Sequence, residues 1–417
     1  MSLNANAKNI KQMLQDILEK FLGEEEFSEI KNQLFAKSEL PLNIEVSFSP
    51  VDKEQIEFEV DHSFNLGSQI DLLITLMELK LAPKEFYEFL LKLGQLSITS
   101  GELRLAADVH EKIIKQVENN SAYSEIAADA YLALGTIYRR EARWDLSSEH
   151  TYKAKKLFEK LNNKNGLARC ENSLGNIKGE CGDLEGAKAH FQSSLSFLAN
   201  EDDLELSALL ETNLGIISNI QGLFNESLKY SNAALSKFEK LNNKRRIADV
   251  RHNIGMMYLQ KNDYNSAVVE FNRSIEAGIE ANNLPIIGAS YLSKAYLYSK
   301  MQDHLLATAY ADKALEICNK VNDKVSIAEI YKVKGIINKN LKNNSLSESY
   351  FLTSIRINRA LNNQLNEAET SYELGLLYKQ MKKDSEANKY FVSAKDYYVR
   401  IESKKEIEKI EKQLITT

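Results

Sequence analysis

Proline is scarce in this chain, four residues in 417, and there is a single tryptophan. Few prolines leave long stretches where nothing interrupts an i to i−4 hydrogen-bond ladder. A composition rich in Leu, Ala, Lys and Glu leans the same way, toward helix. Three cysteines, Cys170, Cys181 and Cys318, are too few and too scattered for a disulfide framework or a zinc site. They read as buried, reduced thiols, with Cys181, beside Gly182, the one that a turn would expose. No run approaches about 18 apolar residues, so no spanning helix is expected. No basic n-region followed by an apolar h-region opens the sequence, which makes the cytoplasm the expected address. A basic excess is also lacking. The formal net charge of -6 argues against a general nucleic-acid binder.

Catalytic signatures are missing as well. There is no Gly-rich phosphate loop, His-Glu-x-x-His, Cys-x-x-Cys or nucleophile elbow, and the six histidines are spread singly. No enzyme activity, metal or cofactor is expected. What is present is globular: 43% hydrophobic and 27% charged residues. A chain of this length exceeds one compact core unless it is a repeat array, which grows in one direction without a single centre.

The repeat is explicit. A small residue recurs at Gly135, Gly175, Gly215, Gly255, Ala295, Gly335 and Gly375, each 40 residues after the last, and Gly94 precedes the series by 41. Twelve positions on stand Ala106, Ser147, Ala187, Ser227, Ala267, Ala307, Ser347 and Ala387. Nineteen positions on, from the second unit, stand Ala154, Ser194, Ala234, Ser274, Ala314, Ser354 and Ala394. Seven before stand Ala128, Ala168, Ala208, Ala248, Gly288, Ala328 and Ala368. Small residues in fixed columns let antiparallel helices approach closely, and bulky ones such as Phe191, Phe271, Phe351 and Phe391 fill the space between them. Asn162-Asn163, Asn242-Asn243, Asn282-Asn283, Asn322-Asp323 and Asn362-Asn363 share one phase and mark turns. A second break falls near Gly101, Gly182, Gly222 and Asn262-Asp263. Each unit is helix A, turn, helix B, turn.

From about Glu85 to about Ile401 this pattern resembles the tetratricopeptide repeat, carried by Asn213-Leu214-Gly215, Asn253-Ile254-Gly255 and Leu374-Gly375-Leu376-Leu377-Tyr378 with Ala187, Ala267 and Ala387. The usual repeat has about 34 residues and a proline after helix B. This one has 40 and no such proline, as in the arrays of LGN/Pins-type adaptors, kinesin light chains and Rap/PlcR-type regulators. The resemblance implies an all-α, right-handed superhelical solenoid of about eight repeats over 83–401. Residues 402–417 read as a capping helix, with Ile407, Ile410 and Leu414 on one face and Glu406, Lys409 and Lys412 on the other. Residues 1–82 fall outside the repeat. Helical spacing runs from Ile10 toward Phe35, with a break near Gly23. Alternation over about 42–61 reads as a β-hairpin, and Gln69 to Leu81 as a helix leading to Pro83. The hairpin is a candidate dimerisation element, and the acidic residues around Glu24–Glu26 a candidate lid.

The resemblance further implies that helices A line a concave face. Their inward positions lie six and three before the small residue, and one, four and five after it, and the position two before carries an Asn in many peptide-binding members. Those columns hold Arg139 and Arg140; Arg169, Asn172 and Asn176; Asn213 and Asn219; His252 and Asn253; and Lys300, Lys332 and Lys339, with Tyr296 and Tyr372 among them. Asn can pair with an extended peptide backbone through its donor and acceptor. Arg and Lys select carboxylates. Asn176 and Asn213 match the two Asn columns of the family's carboxylate clamp, but Asp249 and Asn253 replace its third-repeat basic pair. The expected function is a scaffold that binds a protein or peptide segment, with acidic groups as one candidate feature of that partner. The alternative is a bacterial regulator whose superhelix closes on a ligand peptide. An enzyme within residues 1–80 is a third reading, with no cleft or catalytic cluster to support it.

Overall fold

The computed structural model describes residues 17–23, 43–48, 52–57, 66–118, 120–198, 203–401 and 403–414. They fall in two units, Met1–Asp203 and Leu204–Thr417. The first holds an antiparallel ribbon, β1 (Asn43–Phe48) and β2 (Asp52–Glu57), with Ile44 opposite Ile56. It continues as α1 (Leu66–Lys80), α2 (Pro83–Ser100), α3 (Leu103–Val117), α4 (Ser124–Arg140), α5 (Trp144–Lys160), α6 (Lys164–Glu180) and α7 (Leu184–Phe197). The second unit holds α8 (Leu204–Ile220), α9 (Phe224–Lys240), α10 (Lys244–Gln260), α11 (Tyr264–Glu280), α12 (Leu284–Lys300) and α13 (His304–Lys320). After these come α14 (Lys324–Asn340), α15 (Asn344–Ala360), α16 (Gln364–Gln380), α17 (Asp384–Arg400) and α18 (Lys404–Glu411). From α2 to α17 the helices pair as eight antiparallel A/B hairpins, three in the first unit and five in the second. The all-α repeat array and the ribbon expected near its start are both present.

The 40-residue period has a local cause. From α8 to α17 every helix has 17 residues. Three-residue linkers join these helices. The middle linker residue takes the left-handed conformation, at φ 49° to 58° for Asn162, Asn242, Asn262, Asn282, Asn322 and Asn362. Asn tolerates that region better than most residues. The next residue caps the following helix: Asn163 Oδ1 accepts from the Gly166 N–H at 2.8 Å, and Asp323 Oδ1 from the Ser326 N–H at 3.0 Å. Pro83 opens α2, where its missing N–H costs nothing.

Helices A and B meet at the small-residue column. The residue 16 positions after it lies directly across the hairpin. A Cβ on Gly175, Gly255, Gly335 or Gly375 would fall 2.5 to 2.7 Å from the ring of Phe191, Phe271, Phe351 or Phe391. Ala295 breaks the glycine series, and there the facing residue is Ala311, both fully buried. Size is exchanged across the contact rather than lost. Serines in the twelve-on column add a hydrogen bond across three hairpins by donating to the carbonyls of Gly135, Gly215 and Gly335 at 2.7, 2.6 and 2.8 Å.

In the first hairpin the facing residue is His110, which lies against Gly94. It is 1% exposed, and neither ring nitrogen has a hydrogen-bond partner. Burial drives its pKa down to about 4. Among residues 17–23, Leu18 is buried and Phe21 meets Phe89 edge-on at 5.7 Å. Most of the helix expected from Ile10, and the acidic residues Glu24–Glu26, lie outside the described residues. Cys170 and Cys318 are buried, whereas Cys181 is exposed at the α6–α7 turn and departs from the buried reading. Among the described residues no helix is long and apolar enough to cross a membrane.

Two outcomes are expected. Gly255→Ala should destabilise the second unit by about 1–3 kcal/mol, because the Phe271 ring must move, and Gly215→Ala, which meets the Ser231 hydroxyl, by less; urea midpoints check this. His110 is held neutral in the fold, so its contribution is present above pH about 6.5 and lost as the pH falls toward 4. The loss should reach about 3 kcal/mol. In His110→Phe, melted alongside the parent from pH 7 to pH 4, that component of the pH dependence should vanish.

Candidate functional site: a cavity on the A-helix face of the second unit

Because every helix-plus-linker occupies the same length, a given column points the same way in each hairpin. In the second unit α10, α12, α14 and α16 lie side by side, each touching the next. The column three before the small residue places His252, Leu292, Lys332 and Tyr372 in one row, and all four line a cavity of about 750 Å³. The column six before adds Ala289, Glu329 and Glu369, and the column one after adds Met256, Tyr296 and Ile336. Beyond these columns the lining takes Glu373 from α16, Tyr398 from α17, and Glu406, Lys409 and Ile410 from α18. The wall is apolar toward α10 and α12 and charged toward α16 and α18.

The charged side is organised by ion pairs. Lys332 is 8% exposed, and its Nζ lies 2.8 Å from Glu329 Oε1 and 2.6 Å from Glu369 Oε2. Burial alone pushes the ammonium toward neutrality, but the two carboxylates outweigh it and hold its pKa above the ordinary lysine value. Lys339 Nζ pairs with Glu373 Oε2 at 2.5 Å. Lys409 Nζ pairs with Glu406 at 3.1 Å and lies 4.5 Å from the centre of the Tyr372 ring. Burial raises the Tyr372 phenol, Glu373 and Glu406 raise it further, and Lys409 works against them. Tyr398 is pushed up to about 12 by burial, with Glu369 and Glu406 adding to the shift. His252 Nδ1 is 3.1 Å from Ser290 Oγ, its ring lies against Phe271, and burial lowers its pKa to about 4. At neutral pH it is an uncharged donor and acceptor.

Of the residues singled out from the sequence, His252 and Lys332 line this cavity, as do Tyr296 and Tyr372. Lys339 stands one ion pair behind it. Lys300 Nζ lies over the ring of Tyr296, 5.1 Å from its centre. Asn213, Asn219 and Asn253 are half-buried on α8 and α10. In the first unit Arg139 pairs with Glu180, Arg140 Nη1 donates to the Ile98 carbonyl at 2.6 Å, and Arg169 pairs with Asp129 at 2.8 Å. Asn172 and Asn176 are half-buried on α6. The cations chosen from the inward columns are thus largely engaged by the protein's own carboxylates and carbonyls. Selecting nitrogen-bearing side chains passed over Glu329, Glu369 and Glu373, although the same columns contain them. Glu406 and Lys409 were expected on the solvated face of the cap; they border the cavity.

Residues 205–278 and 288–320 match family models described as tetratricopeptide repeat. No curated protein sequence matches the chain. Among solved structures, the apo form of the quorum sensor NprR from B. thuringiensis aligns at a TM-score of 0.61 and 12% identity, over 79% of this chain and 92% of that one. Aspartyl phosphate phosphatase F from Bacillus subtilis aligns at 0.59 and 12% identity, over 78% and 87%. A Rap protein complexed with competence and sporulation factor aligns at 0.59 and 13% identity, over 83% and 93%. At these identities the likeness is one of fold.

Lys332→Met would strand Glu329 and Glu369 beside an apolar stem. It should lower the stability of the second unit by about 1–3 kcal/mol, the range for hydrogen bonds to charged groups discounted for the partial exposure of the carboxylates. Restoring most of this loss in the triple variant Lys332→Met, Glu329→Gln, Glu369→Gln, read by thermal melting, would assign the cost to the unpaired charges.

Proposed function

Since this chain is a tetratricopeptide-repeat protein, we propose that it is a cytoplasmic scaffold binding an extended or helical peptide segment of a partner. The proposed contact surface is the A-helix face of the second unit, with its cavity at the centre. The function is binding, with no bond made or broken and no cofactor. One observation carries the reading: four successive A helices and the cap helix turn an apolar wall and a set of polar groups toward one space. Its size falls within the range of about 300–1,000 Å³ typical of ligand sites. A peptide offers both apolar side chains and backbone donors and acceptors, so it matches a wall of this mixed kind.

His252 and Lys332 are the proposed contacts inside the cavity. Arg139, Arg140, Arg169, Asn172 and Asn176 mark the same columns in the first unit. Asn213, Asn219, Asn253, Lys300 and Lys339 mark them in the second. Within each unit, their proposed role is pairing with backbone and polar groups of a bound segment. Self-association through β1 and β2 completes the proposal.

A peptide-responsive regulator is the second reading. A ligand in the cavity would touch α18, an element at the end of the repeat array, so occupancy and the docking of that helix are linked. The fold-level likeness to a quorum sensor and to a Rap protein complexed with competence and sporulation factor points the same way.

The test is fluorescence polarisation of the full chain with a positional-scanning library of labelled octapeptides. Ser293→Trp places a large ring in the cavity, and circular dichroism checks that helicity is kept. Binding should weaken more than about tenfold, the equivalent of 1.4 kcal/mol. Unchanged binding would remove the cavity from the recognition site.

A further inference from the structure

The cavity is not evenly charged. Four carboxylates line it, Glu329, Glu369, Glu373 and Glu406, against two ammonium groups, Lys332 and Lys409. Lys332 is committed to its position. It is buried between Glu329 and Glu369, and moving it would leave both without their cation. Glu373 is answered from behind by Lys339.

Lys409 is held differently. Its side chain is 52% exposed, and its carboxylate partner is Glu406 on the same helix, three residues back. An exposed pair of that kind contributes little. Its other contact is the face of Tyr372, with the ammonium 4.5 Å from the ring centre. A cation this exposed gains little from an aromatic face. The helix that carries it is anchored by other groups. Ile410 is 1% exposed in the core, Lys379 Nζ reaches the Gln413 carbonyl and side chain at 3.2 Å, and Lys395 pairs with Glu411 at 2.6 Å. The Lys409 side chain can therefore swing out while α18 stays in place.

Its departure would leave a tyrosine face beside the Glu406 and Glu373 carboxylates, next to an apolar wall that includes Leu292 and Ile336. Aromatic faces flanked by carboxylates bind ammonium and guanidinium groups. An incoming carboxylate would meet like charge, so an acidic partner group is not the reading this cavity favours.

We propose that Lys409 is an internal stand-in for a ligand cation: the partner segment carries a basic side chain that displaces Lys409 from Tyr372 and Glu406. The inference rests on the peptide-binding reading and gives that peptide its chemistry. It also makes the cap helix a built-in competitor, which sets affinity for basic segments below what the bare site would reach.

The experiment uses the full chain and octapeptide sub-libraries in which one position is fixed as Arg, Glu or Leu. The parent should bind the Arg-fixed pool more tightly than the Glu-fixed pool. Lys409→Met should tighten the Arg-fixed pool roughly fivefold, the equivalent of the lost cation–aromatic contact. Lys409→Gln, which removes the charge but stays polar, should do the same, and Lys409→Arg should behave like the parent. Lys405→Met removes a charge from an exposed position of α18 outside the cavity lining and should change little. If the parent binds peptides but prefers the Glu-fixed pool, or if Lys409→Met and Lys409→Gln leave Arg-fixed binding unchanged or weaker, the stand-in is overturned and the peptide reading stands. Equal tightening by Lys405→Met would reduce the effect to net charge and overturn it as well. If no pool binds any of the proteins, the peptide reading falls, and this inference falls with it.

Discussion

Each hairpin depends on one close contact, the approach of helix A to helix B at the small-residue column. Where the column is glycine, four times the opposing residue is a phenylalanine lying on the helix backbone. Where it is Ala295, the opposing residue shrinks to Ala311. Packing density is kept by exchanging volume across the contact, as close-packed interiors require. In a repeat array each hairpin touches mainly its neighbours, so an error in one such contact is not averaged out over a large core. Thr151 and Ser231 face Gly135 and Gly215, and His110 faces Gly94 as a polar ring kept neutral because nothing there answers a proton.

The binding surface follows from the same regularity. Helices of 17 residues and linkers of three return each column to the same orientation. Rows of equivalent side chains therefore form on the A-helix face without any loop to shape them. One row reads His252, Leu292, Lys332, Tyr372, and all four side chains border the cavity. Evolution of such a site needs no change in the fold. Any residue in an inward column alters the lining, while the small columns keep the hairpins closed.

The repeat, its period, its turns and the ribbon β1–β2 were legible in the sequence because each rests on a local rule. Glycine and alanine mark close approach, Asn marks the left-handed linker position, and alternation marks a strand. The inward columns could be read as well, and four of the residues they single out, His252, Lys332, Tyr296 and Tyr372, border the cavity. Charge pairing was not legible. Lys332 and Lys339 looked like free cations because Glu369 and Glu373, which pair with them, lie 37 and 34 positions away on the next A helix, and the nearer Glu329 was passed over. Nor was the role of α18. Its apolar stripe, Ile407, Ile410 and Leu414, packs on the last hairpin as expected. Of the residues read as solvated, Glu406 and Lys409 border the cavity while Lys412 is exposed, because a helix stacked on the end of an array has two neighbours: the last hairpin and the space along the A-helix face.

The central claim, that the row of inward side chains and the cap helix form one peptide site, is tested most directly by amide hydrogen exchange. The full chain is compared with and without saturating amounts of the tightest-binding octapeptide. Slower exchange in α10, α12, α14, α16 and α18, with the outer helices α11, α13 and α15 unchanged, is the predicted result. Protection confined to other helices, or spread equally over A and B helices, would contradict it.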